Sequence, residues 1–591
     1  MINRIEKLYW TCLAIAGFSI QGCGGLGGSK EADIVLPTNP NGVERLAAGR
    51  ADYLDLMEAA VDAYTPERRA AYIERIERDG ITEHGFARLT SNIGILVANG
   101  RMGELRDEFV RMMDLCAREQ PIAEKRNGAT RGGHLAVGSE FAVKELVFAV
   151  VEAEKSGLFP KEKTDAWRRA FTPMLASEIY SKKPEIGDAK AHNWTIFGTA
   201  SEQARIQAGM GGDPAWVEKY VADQMRFFDA NGMFRDPGCP MMYDFVTRLQ
   251  YAIILSLGYT GPSRARLEQI MDDSAEPTLC MQSVTGEMPF GGRSIQFLHN
   301  ETVYAALCEW YASRYAKKGD AKLASRFRAA AGRAVQSVRR NLEERPIRHV
   351  KNRYPSDTRY GCEEYAYFDK YMITMGSWAY LAFRFVDESI PASADEPDFT
   401  FVTGPDFHRV MMNAGGYTLE FDLAGQIGYD ATGLGRIQKR GAPGPLALAV
   451  PFPVESNYRM DVTNAVPLAI GPLGVARLEV ERAGPGETTL RYHGGIWRTK
   501  ASADGIDMVV EQSGEIVFAI PAFEFDGETR PRIDCNGNAL AVSYRGWTCR
   551  YETDGALTDT GRIFGNRNGH YRLFEARAKD RLRVHVTIES L

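Results

Sequence analysis

The chain has 591 residues, 44% hydrophobic and 25% charged, with a formal net charge of −6. That length supports two or more domains around a sizeable core. The mildly acidic balance excludes a generic nucleic-acid binder, whose affinity rests on a basic surface, but leaves room for a local basic cleft.

The first segment reads as an address. Arg4 and Lys7 precede an apolar run from Leu8 to Ile20, which closes as Ile20-Gln21-Gly22-Cys23 before a glycine-rich stretch. The run is too short for an ordinary membrane span and reads as a secretory signal over residues 1–22. The order of charge, apolar run, small residue and cysteine resembles a bacterial lipoprotein signal. That resemblance implies lipidation at Cys23, a flexible tether over 23–42, and a periplasmic or outer-membrane lipoprotein. The plainer alternative is an ordinary signal peptide with a coincidental cysteine. Nine cysteines occur, with no C-x-x-C pair and no zinc-type Cys/His spacing, so the sequence does not point to a metal. Cys535 and Cys549 suit either a bridge across neighbouring strands or two buried thiols.

Residues 43–387 carry helical periodicity. Val143, Leu146, Val147, Val150 and Val151 share one face, as do Val303, Ala306, Leu307, Trp310 and Tyr311. About a dozen helices with short connections are expected, neighbours running antiparallel. A Pro- and acid-containing linker follows over 388–399. From 400 to 591 the period becomes two, as in Leu582, Val584, Val586 and Ile588, which predicts an antiparallel β-sandwich. The expected fold is therefore an all-α toroid followed by a sandwich.

Four helical-half segments are more polar and aromatic than packing requires. In the first, His192-Asn193-Trp194 starts a helix after a Pro/Gly loop; the plain role of Asn193 is an N-cap. The second, Phe234 to Asp244, brings Tyr243 near a helix start. Arg248 follows Asp244 by four residues, so an intrahelical ion pair competes with ligand binding there. In the third, a loop from Gly286 delivers Arg293, and a helix opens with His299-Asn300-Glu301. His299 lies on the apolar stripe of that helix, where a packed histidine is the usual outcome, but the polar loop beside it favours function. The fourth, Tyr360 to Tyr371, holds four tyrosines in twelve residues. Tyr365, Tyr367 and Tyr371 are candidates for a sugar-binding or catalytic wall, against aromatic packing. His134 opens another helix and is a weaker candidate. Arg436 ends a loop, Tyr429 to Arg436, that projects either towards the helical cleft or into solvent. No G-x-S-x-G elbow, P-loop or H-E-x-x-H occurs.

These features together resemble the polysaccharide lyases of the chondroitin, hyaluronate, alginate and heparinase type. His192-Asn193-Trp194 is similar to the Asn-Trp helix start of that superfamily. Gly286-Glu287-Met288-Pro289-Phe290-Gly291-Gly292-Arg293 with His299-Asn300-Glu301 most resembles lyases that act on rhamnose linked to glucuronate. The resemblance implies β-elimination on a uronic-acid glycan, with an acidic polysaccharide as partner and no cofactor. The membrane enters only through the lipid anchor.

In such a reaction the C5 proton becomes removable once the adjacent carboxylate is neutralised. Asn193, helped by His192 or Arg293, suits that role, and charge then moves into an enolate-like group. His299 suits the base, and Tyr243 or one of Tyr365, Tyr367 and Tyr371 the acid. Trp194, Arg248, Glu301, His134 and Arg436 are expected at the substrate. Two rivals remain. A toroid glycoside hydrolase would need two cleft carboxylates from Asp188, Glu202, Asp244 and Glu301. A non-catalytic glycan-binding surface lipoprotein would need neither acid nor base.

Overall fold

The computed structural model describes residues 46–127, 137–238, 240–343, 347–351, 366–393, 395–425, 432–447, 468–469, 477–566 and 568–591. Cys23, His134 and Tyr365 lie outside the described residues.

The helical half is a closed ring. The helices Gly85–Ala98, Ser139–Ser156, Asn193–Gln207, Met241–Ser256, Asn300–Lys317 and Phe368–Phe385 each pack against the next, and the last packs against the first. Each has an outer companion, in the same order Arg106–Asn127, Lys161–Phe171, Pro214–Gln224, Arg264–Asp273, Ala321–Leu342 and Arg50–Asp62. This is an α/α toroid. Because the outer helices carry the chain back, the inner helices all begin at one end.

Residue pattern separates the two layers. The inner helix Gly85–Ala98 is buried continuously from Gly85 to Val97, and Asn300–Lys317 from Asn300 to Ala312. Burial on every side marks an inner helix, even where charged residues such as Arg88 and Glu309 are among those buried. The outer helix Lys161–Phe171 buries only Thr164, Trp167 and Phe171, a single stripe. Layer contact is tight at Gly94, where an added Cβ would sit 2.2 Å from the Phe109 ring. Outer helices also carry side-chain caps. Asp213 accepts from the Ala215 amide at 2.9 Å and Asp320 from the Leu323 amide at 2.9 Å. Such caps are each worth about 1 kcal/mol.

The strands come in chain order: β1 Phe399–Val402, β2 Arg409–Ala414, β3 Tyr417–Asp422, β4 Gly433–Lys439, β5 Leu468–Ala469, β6 Glu479–Gly484, β7 Glu487–Tyr492, β8 Gly495–Ser502, β9 Gly505–Phe525, β10 Arg532–Asn536, β11 Ala539–Tyr544, β12 Trp547–Thr553, β13 Ala556–Asn566 and β14 Gly569–Ser590. One sheet runs β1-β2-β3-β4. The other runs β10-β11-β12-β14-β9-β8-β7-β6, with β13 on β14 and β5 on β9. The sheets share an apolar core. Trp497 packs edge-on against Phe421 at 5.4 Å and Phe518 at 5.8 Å, pairs worth about 0.5–1.5 kcal/mol each beyond area burial.

The small sheet is buried on both faces. Val410, Met412, Leu419, Phe421, Leu434 and Ile437 face the sandwich core. Their alternates Arg409, Thr418, Glu420, Asp422, Arg436 and Gln438 are also buried, although polar or charged. Alternation therefore marks two different buried surfaces here, not core and solvent.

Two expectations change. Arg436 lies within β4, 2% exposed, donating to the Met288 carbonyl at 2.7 Å and lying 3.5 Å from Glu420. It ties sandwich to toroid instead of projecting from a loop tip. A Cys535–Cys549 bridge is also ruled out. Cys535 is exposed on β10 and Cys549 buried on β12, with β11 between them. Two strand spacings, roughly 9–10 Å, exceed disulfide reach.

Candidate active site

The inner helices bring their first turns together at one mouth. His84 precedes Gly85–Ala98, Phe141 is in the first turn of Ser139–Ser156, and Asn193 opens Asn193–Gln207. Tyr243 is in the first turn of Met241–Ser256, His299 precedes Asn300–Lys317, and Tyr371 is in the first turn of Phe368–Phe385. None of these six helices receives a side-chain cap from its own N-cap residue. Their dipoles direct partial positive charge to the mouth.

Contacts link these residues into a circuit. The Asn193 amide Nδ2 donates to Asp236 Oδ1 at 2.8 Å. The other Asp236 oxygen accepts from Arg293. Arg293 Nε donates to the Gly238 carbonyl at 2.8 Å, and its guanidinium lies 4.2 Å from the centre of the Tyr243 ring. The Tyr243 hydroxyl meets Ser294 Oγ at 3.0 Å. Asn300, next to His299, donates to the Ser294 carbonyl at 2.8 Å. His299 stacks on Phe297 at 5.1 Å and lies 6.0 Å from Tyr371. Tyr371 is 6.3 Å from His84, His84 is 4.9 Å from Phe141, and Phe141 is 4.8 Å from Trp194, which returns to Asn193.

Local structure explains the placement. Ser294 has a φ of 63°, rare for a residue with a side chain, and follows Gly291 and Gly292 at 73° and 79°. These left-handed residues flank Arg293 and turn the chain so that Arg293 and Ser294 reach Asp236 and Tyr243 on either side. Before Asn193, buried Glu140 takes the Ser181 amide at 2.6 Å and the Lys182 amide at 3.0 Å. Lys182 Nζ is then 5.6 Å over the Trp194 ring.

Electrostatics sort the groups. Burial holds the Asp236 carboxyl above its usual range, opposed by Arg293 and the Asn193 amide. His299 is pushed down to about 3, first by burial and then by the Arg88 charge. It is therefore neutral near pH 7. His84 is held well below its ordinary value, again first by burial and then by Arg88. The Asn193 Oδ1 and His299 Nδ1 atoms are buried and have no partner among the described residues.

The remaining candidates fall elsewhere. His192 engages Asp188 at 3.2 Å and donates its backbone N–H to Gln224 at 2.8 Å. Tyr367 stands at the rim, 52% exposed, with Lys370 Nζ 5.1 Å from its ring centre. Arg248 is corrected from binding to packing. It is fully buried, bridging both Asp244 oxygens at 2.8 and 2.5 Å and donating to Thr278. Glu301 is fully buried as well; its Oε1 accepts from Lys351 Nζ at 2.7 Å and the Met288 amide at 3.2 Å, while Oε2 has no hydrogen-bond partner among the described residues. Each of the four acids a hydrolase would draw on has a basic partner: Asp188 has His192, Glu202 has Arg205, Asp244 has Arg248, and Glu301 has Lys351 on one oxygen.

Sequence reasoning passed over Asp236, Ser294, His84, Phe141 and Arg88. Asp236 had a visible signal, an acid between Arg235 and Pro237 in a turn-rich loop. His84, Phe141 and Arg88 stood in ordinary helical sequence and join the site only through ring closure.

No family model matches the sequence, and no curated sequence matches significantly. Among solved structures the chain is similar to a mutant of the heparan sulfate lyase HepC from Pedobacter heparinus, with TM-score 0.45 and 10% identity over 85% of this chain and 76% of that one. It is similar to heparinase III, the BT4657 gene product, with TM-score 0.47 and 7% identity over 94% and 86%. It is similar to the chondroitin AC lyase of Streptomyces coelicolor A3 in complex with chondroitin sulphate, with TM-score 0.44 and 11% identity over 95% and 81%.

Proposed function

We propose that this chain is a polysaccharide lyase that cleaves a uronic-acid glycan by β-elimination. The observation that carries the reading is the circuit joining Asn193, Asp236, Arg293, Tyr243 and His299 at the starts of the inner helices. An anionic sugar suits such a mouth, because helix dipoles and Arg293 supply positive potential where desolvation strengthens it.

In this proposal the Asn193 amide and Arg293 hydrogen-bond the uronate carboxylate and disperse its charge. His299, neutral in the fold, takes the C5 proton. The C5–H electron pair forms the C4–C5 double bond, and the C4–O bond breaks. Tyr243 supplies the proton to the leaving oxygen. Carboxylate binding also offsets the Arg88 charge near His299, which raises the basicity of the imidazole within the complex. Asp236 acts on the carboxylate only through Asn193 and Arg293, holding both in place.

A rhamnose-α-1,4-glucuronate linkage is the finer form of the proposal, supported by the resemblance of the Gly286–Arg293 and His299–Glu301 segments. Export and lipidation at Cys23 complete it, on the order of features in the leader. Incubation with a panel of acidic glycans tests the reading through the ultraviolet absorbance of an unsaturated uronate. Chain cleavage without that chromophore contradicts it.

A further inference from the structure

The loop that carries Arg293 and Ser294 is held from behind by the sandwich. Its path from Gln282 to Phe290 runs along the polar face of the small sheet. Thr418 Oγ1 accepts from the Val284 amide at 2.8 Å, and Asn413 Nδ2 donates to the Gln282 carbonyl at 3.0 Å. Gln438 donates to Glu287 at 2.9 Å, and Arg436 to the Met288 carbonyl at 2.7 Å. Both oxygens of Glu420 accept from the Phe290 amide, at 3.0 and 3.1 Å. The Phe290 ring is then sandwiched. Arg409 lies 4.6 Å from its centre, and Gly435 lies so close that an added Cβ would be 2.0 Å from its tip. Gly435 sits at the irregularity in β4, where Glu420 pairs with Arg436 but Phe421 pairs with Leu434.

A fully buried carboxylate is costly unless it is matched. Burial pushes the Glu420 carboxyl up to about 7, opposed by Arg436 at 3.5 Å and Arg409 at 3.8 Å and reinforced by Asp422. Asp422 in turn takes Arg409 and the His408 ring, and Arg436 also faces Glu287 at 3.7 Å. This charged lattice converges on one backbone amide, three residues before Arg293. A plain interface has no need to spend a buried carboxylate on a loop amide, since apolar packing covers surface at lower cost.

We infer that Glu420 is a positioning residue for the toroid site: through the Phe290 amide it fixes the loop that sets Arg293 against Asp236 and Ser294 against Tyr243. The sandwich then completes the site without touching substrate. The inference rests on the lyase reading for its kinetic consequence, but the positioning itself is measurable without turnover.

Three variants test it. Glu420→Gln keeps an acceptor for Phe290 but loses the charge. Gly435→Ala pushes on the Phe290 ring with the charges intact, and so remains informative where Glu420→Gln folds poorly. Arg293→Ala removes the group being positioned. Amide exchange in folded Glu420→Gln or Gly435→Ala is expected to speed over residues 286–294 and stay unchanged over Asn193–Gln207. With an acidic oligosaccharide, each variant is expected to lose roughly ten- to a hundred-fold in kcat/KM, mainly through kcat. In the Arg293→Ala background the same substitutions are expected to cost less than about three-fold, because the group they displace is gone. Unchanged exchange over 286–294, or losses that multiply fully with Arg293→Ala, overturns the inference. If the unaltered protein makes no unsaturated product from any acidic glycan, the lyase reading falls, and the exchange comparison alone decides whether Glu420 holds the loop.

Discussion

The guanidinium of Arg293 lies 4.2 Å from the centre of the Tyr243 ring, so a fixed cation covers one face of the phenol. The same cation is tethered to Asp236, which also holds the Asn193 amide at 2.8 Å. One buried acid thus sets the spacing between the amide, the cation and the hydroxyl that the proposed elimination uses.

Asp236 is therefore the first residue to remove. Asp236→Ala frees Asn193 and Arg293 together, and kcat/KM is expected to fall roughly a hundred- to a thousand-fold, the scale of losing an oxyanion-type donor. Steady-state kinetics with circular dichroism as a fold control checks this. An activity loss below about three-fold removes Asp236 from the account.

Tyr243→Phe deletes a hydroxyl whose described partner is Ser294 Oγ and leaves the ring under Arg293. Folding is expected to be nearly unaffected. Turnover is expected to drop roughly a hundred- to ten-thousand-fold, as for loss of a proton-transfer group. Ser294→Ala, which removes only the hydrogen-bond partner, is expected to cost far less.

His299 gives a pH prediction. Its conjugate acid is disfavoured in the fold, from the ordinary 6.5 down to about 3, by burial first and the Arg88 charge second. Between those values the unfolded chain binds the proton and the folded chain does not. Stability is therefore lost as pH falls through that window, by at most about 1.4 kcal/mol per pH unit from this group. His349, pushed down to about 4, acts in the same direction. Denaturant titrations across the window are expected to show a shallower slope for His299→Gln. The acid limb of kcat/KM, which reports the free enzyme, is expected to be unrelated to His299 above about 3.

Arg248 separates packing from binding. It and Asp244 are fully buried and paired at 2.5 Å. Arg248→Met strands a carboxylate and is expected to destabilise the fold by about 3–5 kcal/mol, with Arg248→Met/Asp244→Asn less damaging. The KM of the folded fraction is expected to stay within about two-fold, whereas a substrate-binding arginine would raise it strongly.

Much of this architecture is legible in the residues. The change of period near the linker separates helices from strands. Asn193, Tyr243, His299 and Tyr371 stand out because polar and aromatic side chains at helix starts exceed what packing asks for. Ring closure is not legible, since nothing local says that His84 and Tyr371, distant in sequence, lie side by side. Arg248 and Arg436 mislead for a related reason: a buried arginine with a carboxylate partner reads like a ligand-binding one until its surroundings are known. Glu420 alternates with apolar neighbours as a solvent-facing residue would, and only the toroid behind the sheet makes that face an interior.

The most direct measurement is product absorbance. Unaltered protein incubated with a series of uronate-containing polysaccharides should yield, on at least one of them, new chain ends absorbing in the ultraviolet, and Asn193→Ala should abolish that signal. New reducing ends without the absorbance, or full absorbance from Asn193→Ala, would contradict elimination at this mouth.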